Sequence, residues 1–204
     1  MSRTGRPRQF DIQSALDKAL PLFWEHGYES TSLAQLRESM RLSSASFYAA
    51  FGSKEGLFDA VVERYTDSYG RVTDTLADEN LDPRAAVEQT LRDSVRMQTD
   101  TSHPLGCLIA LGGVTCGRDA EHVGALLSAR RTRDRNNIAR CIERAVDAGQ
   151  IDETTHIDST AAVFHSFLIG ISTQARDGVS AALLDASVTA IMSFWDSMRT
   201  GNSH

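Results

Sequence analysis

The chain has 204 residues, of which 41% are hydrophobic and 24% charged, so it has room for one or two domains with a core and is too apolar for disorder. No stretch approaches the roughly 18 consecutive apolar residues that a membrane helix needs, and no apolar run follows the basic N-terminus as in a signal peptide. Three widely spaced cysteines argue against a disulfide framework and favour a reducing cytoplasm.

The net charge of −6 is unevenly distributed. Residues 1–54 contain seven basic and five acidic side chains, whereas the rest of the chain contains 14 basic and 22 acidic ones. Three of the basic residues are arginines within the first ten positions. A basic head on an acidic body predicts that only the head binds a polyanion, although a solvated tail would have the same composition.

The apolar spacing predicts helices throughout, and thus an all-α fold. Asp11 can cap a first helix that runs to about His26 and ends at Gly27, with a bend or break expected at Pro21. Thr31 or Ser32 then opens a short helix.

A turn near Arg41 leads to Ser43 or Ser44, which caps a second short helix ending near Ala50. Ser53 caps the longer helix that follows. Two short helices joined by a tight turn after a longer one are typical of a helix-turn-helix. The hydroxylated and small residues of the second short helix would leave its exposed face open to phosphates and bases.

Further helices are expected from three start signals. Asp82-Pro83 and His103-Pro104 each open a helix, the latter ending near the glycines at 112 and 113. Asp119 begins a long charged helix that is closed by Gly149.

The last two predicted helices have strong apolar stripes. The stripe of the final helix has the 4, 3 spacing of a coiled coil. These residues form either the core or a four-helix interface with a second copy. The candidate interface residues are Phe167, Ile171, Leu184, Val188, Ile191 and Trp195.

The segment TSLAQLRESMRLSSASFYAAFGSKEGLF (31–58) resembles the DNA-binding segment of the tetracycline-repressor (TetR) family of bacterial regulators. The flanking stretches GRPRQFD and LFWEHGYESTSL match as well, so about 50 residues carry the resemblance. Two positions depart from the family pattern: Arg41 stands where glycine is usual in the turn, and Arg37 where alanine is usual.

The resemblance implies a helix-turn-helix domain over 1–53 and a helical effector-binding and dimerisation domain over 54–204. It implies phosphate contacts by Thr31, Ser32 and Lys54, and an arm including Arg6 that reaches a neighbouring groove. Residues of the second short helix would face the major groove or its edge: Ser43, Ser44, Ala45, Ser46 and Tyr48.

The resemblance further implies a homodimer that binds double-stranded operator DNA and an effector pocket between Asp82 and Gly149. The effector is an unknown small molecule or reactive species. Cys107 is the candidate effector or redox residue, because it lies near a predicted helix start where the dipole lowers a thiol pKa; a buried structural cysteine is the alternative. Repression rather than activation is a family-level expectation.

The sequence lacks the zinc, P-loop, CxxC and nucleophile-elbow motifs, so no catalysis, cofactor or metal is expected. A helical binding protein that does not use its helix-turn-helix is the main alternative, followed by a helical enzyme. Affinity for DNA at physiological salt separates the first alternative from a regulator.

Overall fold

The protein is described by a computed structural model that covers residues 11–112, 117 and 120–199. The predicted DNA arm with Arg6 lies outside these residues. The described part is helical apart from turns and one isolated antiparallel bridge between Ile151 and Arg199. It comprises α1 (Ile12–Ser30), α2 (Leu33–Met40), α3 (Ser44–Phe51), α4 (Lys54–Thr66), a 3₁₀ segment (Tyr69–Ala77), α5 (Pro83–Gln98), α6 (Leu108–Leu111), α7 (Glu121–Asp147), α8 (Ile157–Arg176) and α9 (Ala181–Ser197).

The helix starts follow the capping signals. The side chains of Asp11, Ser32, Ser43, Ser53 and Asp82 each accept a hydrogen bond from a backbone N–H in the first turn of the helix that follows. Each bond satisfies one of the amides that a helix N-terminus leaves without an intrahelical partner. These five predicted caps are therefore confirmed.

The predicted break in α1 occurs at a different residue. The helix continues through Pro21 and leaves helical geometry only at Gly27, which has φ +77° and ψ 172°. Glycine adopts this conformation without the penalty that a Cβ would bring. The regular part of α1 thus ends where the C-cap signal predicted, and the remaining residues to Ser30 form a further turn.

The prediction of a helix from His103 is wrong. Residues 100–107 form turns, and α6 is a single turn that begins at Leu108 with Cys107 at its N-cap. Proline after a polar residue is as common in turns as at helix starts, which explains the error. The long charged helix α7 begins at Glu121, and the predicted cap Asp119 lies outside the described residues.

Two apolar cores organise the chain. The first joins α1–α4 with α6 and the first turns of α7, and includes Phe23, Phe47 and Phe58. The second is formed by α5, α8, α9 and the rest of α7 around Phe164 and Trp195, whose rings meet edge to face at 5.6 Å. Helix α4 therefore belongs to the same core as the helix-turn-helix.

The predicted interface stripe on α8 and α9 lies largely inside the monomer. Ile171, Leu184, Val188 and Trp195 are each at most 1% exposed within a single chain, because α8 and α9 both pack on α5. Their assignment to a dimer interface is therefore wrong. Phe167 and Ile191 are only partly buried.

A second apolar stripe faces outwards on the same helices. Leu183 is 59% exposed, Val163 42% and Phe194 39%. On α9, residues 183, 187, 190 and 194 follow each other at spacings of 4, 3 and 4, which places them on one face. Phe194 also contacts the ring of Phe164 at 6.0 Å, but a large part of its side chain and of Leu183 remains exposed in the single chain.

Candidate nucleic-acid interface and buried cavity

Helix α3 presents a small, polar outer face. Ser44, Ala45 and Ser46 are exposed and Tyr48 is 52% exposed, whereas Phe47 is fully buried behind them. The Phe47 ring meets the Tyr48 ring at 5.4 Å, edge to face, and so holds the base of that side chain. A rigid helix with short side chains can approach a groove closely, and its hydroxyls can bind phosphates or base edges.

The N-termini of α2 and α3 are capped by exposed serines. The Ser32 hydroxyl accepts from the Gln35 backbone amide at 3.2 Å, and the Ser32 backbone amide donates to the Gln35 side-chain oxygen at 2.8 Å, which together form a capping box. Ser43 caps α3 in a similar way by accepting from the Ser46 amide at 3.1 Å. The remaining first-turn amides of both helices are available to an anion in the manner usual for helix N-termini.

The expected phosphate contact of the Thr31 side chain does not fit the structure. Thr31 is fully buried, and its hydroxyl donates towards the carbonyls of Gly27 at 2.7 Å and Leu22 at 3.2 Å. The Gly27 carbonyl lies at the point where α1 leaves helical geometry. Thr31 therefore ties the end of α1 to the start of α2, and the exposed side chain at this junction is that of Ser32.

Lys54 lies at the first position of α4, behind α3. Its ammonium is 4.3 Å from the centre of the Tyr28 ring, and the Tyr28 hydroxyl donates to Glu55 at 2.9 Å. Partial burial lowers the pKa of Lys54, although the neighbouring Glu55 and Glu29 carboxylates act in the opposite direction. A cation–π contact of this kind holds the ammonium at the junction of α1 and α4.

Arg41 is an exposed cation that the sequence analysis did not assign to the DNA-binding surface. It lies in the turn between α2 and α3 with φ 57° and ψ 45°, so its backbone is left-handed. A non-glycine residue in this region costs on the order of 1 kcal/mol. The sequence signal for a role in binding was the arginine itself, which stands where the family usually has glycine despite this cost in free energy.

The two cores enclose a cavity of about 70 Å³. Helices α4, α5, α7 and α8, the 3₁₀ segment and the Cys107 loop all contribute to its wall. At one side the Tyr65 hydroxyl donates to the Cys107 sulfur at 3.1 Å. Part of the cavity wall comes from the region between Asp82 and Gly149, where the resemblance implied an effector pocket. The rest of the wall comes from α4, the 3₁₀ segment and α8.

Of the two alternatives for Cys107, the structure favours the structural cysteine. Burial raises the pKa of the Cys107 thiol, although hydrogen bonds from Tyr65 and from the backbone amides of Ala110 and Ile109 act in the opposite direction. Helix α6 is one turn long, so its dipole is too small to outweigh desolvation. Cys107 is thus a neutral thiol on the cavity wall.

Asp134 of α7 is the cavity's most perturbed carboxyl group. Burial raises its pKa from the ordinary 3.8 to about 6, although the Thr73 hydroxyl and the guanidinium groups of Arg133 and Arg130 act in the opposite direction. Its carboxylate makes no salt bridge among the described residues. A carboxyl kept partly desolvated beside a cavity is typical of a functional site.

We expect Asp134→Asn to stabilise the protein at pH 7.5 by about 1–2 kcal/mol and to have no such effect at pH 4. Because the folded-state pKa is raised, ionisation of this carboxyl removes stability as the pH rises from about 4 through about 6. Thermal unfolding at the two pH values measures the effect. Glu143→Gln, which neutralises an exposed carboxyl further along α7, is the control. Destabilisation of Asp134→Asn at pH 7.5 would contradict the prediction.

Arg176 connects the cavity wall to the helix-turn-helix. It is the last residue of α8, and its guanidinium donates to the carbonyls of Trp24 and of Glu25 near the end of regular α1. Its Nε also donates to the Leu105 carbonyl at 3.3 Å. A cationic side chain that donates to the last carbonyls of a helix caps its C-terminus. Here the capping side chain comes from a distant part of the chain.

Two classes of site are not seen in the described residues. No group of three or more His, Cys, Asp or Glu side chains there is arranged to hold a metal ion. No helix among the described residues combines the length and the apolarity that a membrane span requires.

The fold and the exposed face of α3 define a helix-turn-helix DNA-binding protein. Residues 15–61 match the model of bacterial regulatory proteins of the tetR family. The chain is 30% identical over 192 residues to the HTH-type transcriptional repressor ComR of Escherichia coli K12, covering 94% of this chain and 91% of ComR. It is 33% identical over 111 residues to the repressor BdcR of the same organism, covering 53% and 55% of the two chains.

A solved structure of a TetR family transcriptional regulator, a cysteine mutant of CifR complexed with 26-base-pair double-strand operator DNA, is also similar. It has a TM-score of 0.86 and 36% identity, and the match covers 93% of this chain and 100% of that one. The chain therefore belongs to the TetR family and is a transcriptional regulator with an N-terminal helix-turn-helix and a helical C-terminal part.

Proposed function

We propose that the protein is a repressor that binds a near-palindromic operator as a homodimer and is released by a small molecule. The observation that carries this proposal is the outer face of α3, which is exposed, small and hydroxylated while its inner face is locked in the core. In such a dimer the two α3 helices lie about one turn of DNA apart, roughly 34–36 Å.

The proposed DNA surface is built around α3. Ser43, Ser44, Ala45 and Ser46 face the major groove, and Tyr48 contacts a phosphate or a thymine methyl. Ser32, Lys54 and Arg41 surround this face and bind phosphates, with Arg6 in the arm. We further propose that residues 1–53 form the DNA-binding domain and 54–204 the regulatory domain, with α4 packed on both.

The proposed dimer interface is the outer stripe of α8 and α9. Leu183 and Phe194 are large, apolar and exposed in the single chain, and Phe167 and Ile191 border them. A second copy related by a twofold axis would cover the same stripe on both subunits. CifR is described as a TetR family transcriptional regulator, and members of this family act as dimers.

The cavity beside Cys107 is the proposed effector site. A ligand that moves α8 would move Arg176 and hence the end of α1, which carries the helix-turn-helix. An effector that favours the DNA-incompetent state must weaken DNA affinity, and DNA must weaken effector affinity by the same factor. In this role the protein acts in the bacterial cytoplasm and catalyses no reaction.

Fluorescence anisotropy on the DNA upstream of the protein's own gene tests the function. Binding is measured against scrambled competitor at two salt concentrations, because phosphate contacts make affinity salt-dependent. Binding to this DNA that persists in the presence of scrambled competitor supports the proposed regulatory function. Binding no tighter than to scrambled DNA, both there and across genomic fragments, would leave a helical binding protein.

We expect Lys54→Ala to weaken operator binding and to reduce the slope of log K against log salt by about 0.9, the contribution of one phosphate contact. Arg199→Ala removes one positive charge from the far end of α9 and is the control, for which an unchanged slope is expected. An unchanged slope for Lys54→Ala would assign this lysine to the Tyr28 contact alone.

A further inference from the structure

The buried part of the cavity wall carries no charge. Six lining residues from α4, α5, α7 and α8 are each at most 5% exposed: Tyr65, Ser94, Gln98, Asn137, Leu168 and Ser172. Burial raises the pKa of the Tyr65 hydroxyl well above its usual value and also raises that of the Cys107 thiol. Both groups are therefore neutral at physiological pH.

The charged lining residues lie at the solvent side of the cavity or are already engaged. Arg133 is exposed, Arg130 pairs with Glu63, and Arg131 donates to the Ile109 carbonyl at 2.7 Å. The partly exposed Asp134 carboxylate lies beside the guanidinium groups of Arg133 and Arg130, which lower its pKa against the larger effect of burial. An ionised ligand deep in the cavity would lose its hydration without gaining a buried counter-charge.

Ser94 gives the interior an unused hydrogen-bonding group. Its hydroxyl oxygen is fully buried on the cavity wall, and no partner for it exists among the described residues. On the same wall the Ser172 hydroxyl donates to the Gln98 side-chain oxygen at 2.6 Å. Buried hydroxyls normally have a partner, so an unpaired one in a cavity points to a group that a ligand supplies.

We infer that the cavity binds a small uncharged organic molecule whose hydroxyl, carbonyl or amide group pairs with Ser94, with its apolar part against Leu168. The cavity volume of about 70 Å³ favours a small ligand. This inference rests on the cavity being the effector site of the proposed function and names the chemistry of that effector.

A four-carbon series of probes tests the inference on the full-length protein. Butanamide and n-butanol are neutral and polar, butanoate is the anion of similar shape, and n-butylammonium is the cation. Dissociation constants are measured by NMR titration at pH 7.5 and constant ionic strength. We expect millimolar binding of the neutral probes and at least fivefold weaker binding of both ions.

Two variants of α5 assign the binding to Ser94. We expect Ser94→Ala to weaken butanamide binding at least fivefold and to raise the melting temperature slightly, because it removes an unpaired buried hydroxyl. Thr90→Val lies one turn earlier and removes a buried hydroxyl that is paired with Thr75 at 2.6 Å. It is expected to lower the melting temperature while leaving butanamide affinity unchanged.

The outcomes separate this inference from the proposed function. Three results would overturn the inference. They are equal or tighter binding of an ion, unchanged butanamide affinity in Ser94→Ala, and no binding of the neutral probes at about 50 mM, which is 50-fold above a dissociation constant of about 1 mM. Ser94-dependent binding of butanamide that leaves operator affinity unchanged would support the ligand class and contradict ligand release. Operator binding itself is measured without any probe.

Discussion

Replacing Leu183 and Phe194 together by arginine is expected to leave the chain monomeric and to weaken operator binding by about two to four orders of magnitude. Both side chains lie on the outer stripe of α9, where they are 59% and 39% exposed in the single chain. Arginines facing each other across a twofold axis would repel and would be desolvated in the interface. The loss in DNA affinity follows because one helix-turn-helix then binds one half-site without the other.

Size-exclusion chromatography with light scattering measures the mass, and anisotropy measures operator binding in the same buffer. Asn136→Arg, an exposed substitution on α7, introduces one arginine away from the stripe and is the control. Circular dichroism verifies that the variant remains helical. A dimeric double variant with normal operator affinity would show that the two copies meet elsewhere.

Gly106→Ala is expected to destabilise the protein by about 2–4 kcal/mol, or roughly 5–15 °C in melting temperature. Two effects combine at this position. Gly106 has φ +80°, a conformation that costs about 1 kcal/mol or more for alanine. An added Cβ would also lie 2.9 Å from the Ser172 backbone oxygen and 2.9 Å from a methyl group of Leu111.

Gly178→Ala separates the two effects. Gly178 has φ +82°, close to that of Gly106, but a Cβ there would have no described neighbour within 4 Å. The Gly178→Ala variant is therefore expected to lose only the conformational contribution to its stability, about 1 kcal/mol. Thermal unfolding of the two variants measures the difference. Equal losses would mean that the Cys107 loop is not pressed against α8 and can move to accept a methyl group.

The close approach at Gly106 explains the Gly-Cys pair in the sequence. The Gly106 amide donates to the Gln98 carbonyl at 2.9 Å, which brings the loop back onto the end of α5. Because no side chain separates this loop from α8, Cys107 reaches the cavity wall beside Tyr65. The sequence left open whether this thiol is activated or structural, and burial in the folded chain raises its pKa.

The candidate DNA surface could be predicted from the sequence because its determinants are local. Caps, turn residues and apolar spacing act over three or four positions, and they located α2, the Arg41 turn and α3. Thr31 is the exception. A hydroxyl at a helix start binds either a phosphate or a nearby carbonyl, and the interruption of α1 at Gly27 supplied the carbonyl.

The outward face of α9, where we propose the dimer interface, could not be predicted because both apolar stripes of this helix have the same local pattern. Helix α9 has one apolar stripe centred on Leu184 and Val188 and another that includes Leu183 and Phe194. Apolar periodicity alone favours the more regular stripe, the first, as the interface. Packing on α5 places the regular stripe in the core. Only the remaining stripe is available to a second copy.

The sequence by itself determined the helical class, the helix-turn-helix and its exposed polar face, because these depend on neighbours along the chain. The tertiary structure decided which stripe of α9 faces outwards, the neutral state of Cys107, and the cavity that brings Ser94 and Asp134 together. It also decided the contact of Arg176 with α1, across 152 positions of the chain. Burial and desolvation depend on residues that meet only in the folded chain, and no local pattern encodes them.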